Sequence, residues 1–146
     1  MPTAPSEAGA PDRDLTIGLS ARVDLLVTET DTAVALRSGD VAVLATPRLV
    51  ALCEEASCLA VEGRLGAGRT SVATRLQFDH LAPVAVGATV TAEATLARVE
   101  GRRLVFTVSA SLRSERNTGL VGAGRLTRVL VDREAFLGKA GVVAHR

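Results

Sequence analysis

The run GRLGAG, residues 63–68, separates two kinds of hydrophobic pattern, and the chain's fold must satisfy both. Before it, Leu49, Val50, Cys53, Ala56, Leu59 and Ala60 recur at helical spacing. Pro47 stands at a first-turn position, where its missing N–H costs nothing, and Thr46 is the expected N-cap. The spacing predicts a helix running to about Glu62. After the glycines the period drops from 3.6 to 2. Residues 70–78, 88–100, 102–115 and 119–132 are four alternating, β-branched segments. The breaks fall at DHLAPVAVG, EGRR and ERNTG, and the last two have the length of tight hairpin turns. Ahead of the helix, residues 19–29 read as a strand and residues 32–39 as a short second one. After the last strand, REAFLGKAGVVAHR begins as a helical turn.

One long apolar helix and a four-stranded meander can bury their apolar faces only against each other, which is an α+β layout. Ala45, Ala51, Ala56, Ser57, Cys58 and Ala60 keep the helix thin, so a curved sheet can close on it. The expected fold is therefore a hotdog: an antiparallel β-sheet wrapped around one long central α-helix. The domain is expected over residues 15–137, with a flexible N-terminal tail at 1–14 and a C-terminal tail at 138–146. A wrapped sheet leaves an edge strand open, and pairing with a second sheet is the usual remedy, so a homodimer is expected.

Composition narrows the function classes. The net charge of +1 and only three aromatic residues, Phe78, Phe106 and Phe136, leave nothing to attract or stack a nucleic acid. No apolar run reaches the length of a membrane span, and the polar start MPTAPSEAGAPDRD does not read as a secretory signal. Cys53 and Cys58 lie five apart on a helix, pointing different ways, and no further Cys/His pair completes a zinc site. Reduced thiols in a cytoplasmic protein follow, with neither metal nor cofactor.

Three polar features do not fit a plain core. Thr46 is explained by capping alone. Glu54 and Glu55 interrupt an apolar stripe, and one of them can reach solvent but hardly both; an inward carboxylate needs a partner or a chemical task. His80 lies where a strand gives way to a Pro/Gly loop, and histidine is the side chain that exchanges protons near neutral pH. Taken singly, each also has a structural explanation: a cap, a salt-bridged acid, a turn histidine.

Taken together, ATPRLVALCEEAS, TSVATRLQFDHLAPVAVG and LVGAGRLTRVLVDREAF, in that order, resemble the fluoroacetyl-CoA thioesterase group of the hotdog superfamily over residues 18–137. The resemblance implies a threonine–glutamate–histidine triad, which falls on Thr46, Glu54 and His80 and selects Glu54 over Glu55. It implies hydrolysis of an acyl-CoA or acyl-carrier thioester. Glu54 would attack the carbonyl or activate water, Thr46 would orient, and His80 would move the proton. Ala73 stands in SVATR where the group has a glycine near the acyl chain, and Arg48, Arg69, Arg75 and Arg125 are four open candidates for the coenzyme A phosphates, with Arg125 taken beside Ala73 as a substrate-binding candidate. The group's fluoroacetyl-specific member carries a phenylalanine lid before the helix. TAVALRSGDVAVLA has no aromatic residue, which points to a different, bulkier acyl group. Two other readings of the fold stay open here, a non-catalytic thioester-binding module and an enoyl-thioester hydratase, although the latter would want a histidine on the helix.

Overall fold

The computed structural model describes residues 14–113 and 119–142. In chain order the elements are β1 (Ser20–Leu26), a 3-10 turn (Glu29–Asp31), α1 (Ala33–Leu36), α2 (Thr46–Ala60), β2 (Arg69–His80), β3 (Thr89–Glu100), β4 (Arg103–Arg113), β5 (Leu120–Asp132) and α3 (Arg133–Lys139). The strands form one antiparallel sheet in the order β1-β3-β4-β5-β2. Its concave face holds α2, in the hotdog arrangement. Leu49, Leu52, Cys53 and Ala56 of α2 are buried against Ala92, Ala94 and Leu96 of β3, Phe106 and Ala110 of β4, and Leu126 of β5. The alanines on both sides of this contact let the helix settle close to the sheet, so burial that larger side chains would block becomes available.

The structure corrects three expectations. The meander holds only for β3, β4 and β5, because β2 pairs with β5 at the far edge and the chain then crosses to β3. Local patterning finds strands but does not choose their neighbours. Residues 32–39 are not a strand: the Thr32 hydroxyl accepts from the Ala35 N–H at 3.2 Å and starts α1, while Thr32 keeps one isolated bridge to Leu44. Thr-Ala-Val-Ala-Leu alternates, but a capping threonine decides in favour of the turn. Finally, Thr46 is not the N-cap. Ala45 is, with its carbonyl accepting from Leu49 N–H at 3.0 Å, and Thr46 is the first helical residue. The helix ends at Ala60, close to the expected end at about Glu62. The expected ERNTG turn and most of the N-terminal tail fall outside the described residues, as does the chain end from residue 143.

Candidate active site

The loop after β2 and the segment before α2 are laced together, and this lacing brings two predicted residues into contact. Leu44 N–H donates to the Val84 carbonyl at 2.9 Å, and Val43 bridges to Ala85. The end of β2 is thereby held beside the start of α2. Thr46 Oγ1 and His80 Nδ1, 34 residues apart in sequence, lie 2.7 Å apart. The threonine hydroxyl is free for this contact because Ala45, not Thr46, closes the helix end. His80 Nε2 is buried and has no hydrogen-bond partner among the described residues. One ring nitrogen is thus fixed and the other is presented unpaired.

A second tie sets the angle of the helix start. Arg48 Nε donates to Asp31 Oδ1 at 3.0 Å, and Asp31 also accepts from the Thr28 N–H at 2.8 Å. Burial works against the charged carboxyl of Asp31, but the Thr28 and Arg48 hydrogen bonds and the Arg48 charge outweigh it and hold the group below its ordinary value. Arg48 is therefore committed within the chain rather than held out for a substrate phosphate.

Of the acid pair, Glu54 is half-buried and Glu55 exposed. Glu54 follows Thr46 by eight residues, a displacement of about 12 Å along the helix axis. Its carboxylate makes no hydrogen bond or ion pair among the described residues, so one chain does not join it to the Thr46–His80 contact. Its neighbour Cys53 is buried, and desolvation, with the Glu54 charge second, pushes the thiol up to about 11. Cys53 is hence no nucleophile near neutral pH.

The two substrate-binding candidates part company. Ala73 pairs with Arg128 beside the β-bulge of β2, so it shares the concave face with His80 and remains exposed. Arg125 pairs with Gln77 and projects from the convex face, away from Thr46 and His80. Arg128, which sequence reasoning passed over, is instead the inward arginine. It is buried at 6% exposure, donates from Nε to Ser71 Oγ at 2.8 Å and from Nη2 to the Ser71 carbonyl at 2.9 Å, and approaches Ser57 Oγ at 3.4 Å. Ser57 in turn donates to the Glu54 carbonyl at 2.6 Å. The signal was present: in RLTRVLV, Arg128 alternates with Leu126 and Leu130, both core residues.

Known proteins resemble this chain in sequence and in fold. The sequence profile described as FlK, fluoroacetyl-CoA-specific thioesterase, matches residues 27–134. The fluoroacetyl-CoA thioesterase of Streptantibioticus cattleyicolor is 36% identical over 97 residues, covering 66% of this chain and 67% of that protein. A solved structure of the fluoroacetyl-CoA thioesterase FlK superposes with a TM-score of 0.78 at 30% identity, over 87% of this chain and 96% of that one. A thioesterase superfamily member from Thermus thermophilus gives 0.76 at 26% identity, over 86% and 93%. The chain belongs to the fluoroacetyl-CoA-specific thioesterase family.

Proposed function

We propose that Thr46, His80 and Glu54 together hydrolyse an acyl-CoA thioester to a free acid and coenzyme A, the reaction class of the family. The observation that carries this reading is the 2.7 Å contact of Thr46 Oγ1 with His80 Nδ1 beside an unpaired, buried Nε2. With the ring protonated, Nδ1–H donates to the Thr46 hydroxyl and Nε2–H is left to protonate a leaving thiolate. Glu54 attacks the carbonyl carbon, the C–S bond breaks, and the sulfur takes the Nε2 proton. Water then splits the resulting anhydride while one of its protons passes to the now neutral Nε2, which regenerates the Glu54 carboxylate and the protonated ring.

The axial gap between Thr46 and Glu54 supports a shared site. The protein works as a homodimer in which two copies pair along their β2 edges, and Glu54 of one copy meets Thr46 and His80 of the other. Strand β2 is 12 residues long and forms an edge of the sheet, the surface such pairing requires. Among the described residues no helix is long and apolar enough to cross a membrane, and the two free thiols suit the reducing cytoplasm.

The acyl group is a small or medium one without fluorine selectivity, since in the segment TAVALRSGDVAVLA ahead of α2 the exposed large apolar residues are Val34, Leu36 and Val41 and none is aromatic. Thiol release from a panel of acyl-CoAs, fluoroacetyl-CoA included, tests both statements. Glu54→Ala and His80→Ala are expected to lower kcat by about 10²–10⁴, with Glu55→Ala near wild type. Equal activity of Glu54→Ala and wild type would remove the triad, and a clear preference for fluoroacetyl-CoA would remove the substrate assignment.

A further inference from the structure

The convex face of the sheet, opposite the helix, carries four exposed arginines around one groove: Arg75, Arg98, Arg103 and Arg125. Strand register explains how four different strands bring them together. Arg75 of β2 pairs with Thr127 of β5, Thr127 with Val105 of β4, and Val105 with Arg98 of β3, so these residues form one transverse row. At the usual strand spacing the row is about 14 Å long. Arg125 and Arg103 stand two residues before Thr127 and Val105 and flank the row on the same face. Thr127 and Val105 are buried beneath the arginines and make the floor, leaving a groove of about 160 Å³.

No carboxylate lines this groove. Arg98 reaches Glu100 at 3.5 Å, but Arg75, Arg103 and Arg125 have no ion pair among the described residues. A second groove on the same face, over β1, β3 and β4, is built differently: its arginines, Arg22 and Arg113, are paired with Glu93 and Asp24. Unpaired guanidinium groups held on rigid strands repel one another unless an anion joins them, and their planar forks match phosphate oxygens two at a time. No aromatic side chain lines the groove, so the surface reads charge and not a base.

We propose that this groove binds a diphosphate group. Two sources share that chemistry: the diphosphate of coenzyme A, which rests on the thioesterase reading above, and a separate diphosphate-bearing ligand. The test is calorimetric titration of the full-length protein with inorganic pyrophosphate, in wild type, Arg103→Gln, Arg125→Gln and the double variant. All four are followed by thermal melting, and these solvent-facing changes should leave the melt unaltered. Saturable binding that weakens about tenfold with each lost arginine is expected. Competition then names the source. Displacement of pyrophosphate by coenzyme A but not by pantetheine identifies the substrate's own diphosphate, and binding untouched by coenzyme A identifies a separate ligand. No pyrophosphate binding, or binding equal in wild type and the double variant, overturns the site. Loss of thioester hydrolysis alone would bear on the catalytic reading and leave this one standing.

Discussion

Asp31 shows how much a single residue contributes to the geometry of the candidate site. It receives Arg48 and the Thr28 N–H, and its own carbonyl accepts from the Ala45 N–H at 2.9 Å, so it fixes the residue that caps α2. Asp31→Asn is expected to cost about 1–3 kcal/mol at pH 7, because Arg48 loses its charged partner in a largely buried setting. The sign with pH follows from the lowered carboxyl. A depressed folded value stabilises the protein above the unfolded value, here the ordinary 3.8, and that stability is lost as pH falls through the lower folded value. Thermal melts of wild type and Asp31→Asn should differ at pH 7 and converge as pH falls below the lowered folded value of the carboxyl; a difference that persists once the carboxyl is protonated would show that Asp31 acts other than through its charge. At this same scale, helical spacing left Glu54 and Glu55 both open, the resemblance selected Glu54, and Glu54 is the half-buried member of the pair.

At the scale of the element, the pair β2–β5 sets where His80 ends up. Gly124 faces Phe78 and Gly122 faces His80 across this pair. A Cβ at Gly124 would meet the Gln77 carbonyl oxygen at 2.1 Å and the Phe78 Cα at 2.8 Å, which are backbone atoms that cannot swing aside. At Gly122 it would strike the Phe78 ring at 2.5 Å. The glycines of LVGAGRL thus let β2 lie tightly on β5. Gly124→Ala is expected to destabilise by about 3 kcal/mol or more, as a strained backbone clash, and to lower activity by shifting His80. A chemical denaturation midpoint unchanged from wild type would contradict the clash. This closeness was invisible in the sequence, where two glycines in an alternating run read only as weak points of a strand.

Across the whole molecule, the strand order leaves β2 at one edge and places the Thr46–His80 contact next to it. Mixed dimers test whether two chains share the site. In a heterodimer of Glu54→Ala and His80→Ala subunits, a shared arrangement leaves one site with both residues intact and the other with neither. About half of wild-type activity per heterodimer is expected, which is about a quarter across the statistical mixture that co-refolding the two inactive variants gives. Continued inactivity of a verified heterodimer would place the whole site within one chain.

The sequence by itself determined the elements that repeat a local rule: α2 from its apolar spacing and proline, and all five strands from their β-rich or alternating patterns. Through its motifs it also marked out Thr46, Glu54 and His80. Only the tertiary structure decided what depends on partners distant in the chain. Strand β2 lies beside β5 and not β3, Thr32 caps a turn, and the Thr46 hydroxyl turns to His80 instead of to its own helix. Arg125 points outward to a row of arginines while Arg128 points in. The physical reason is the same in each case. Periodicity reports which face of an element is buried, whereas neighbours, hydrogen-bond partners and charge clusters are fixed by the register between strands that the chain joins only after long excursions.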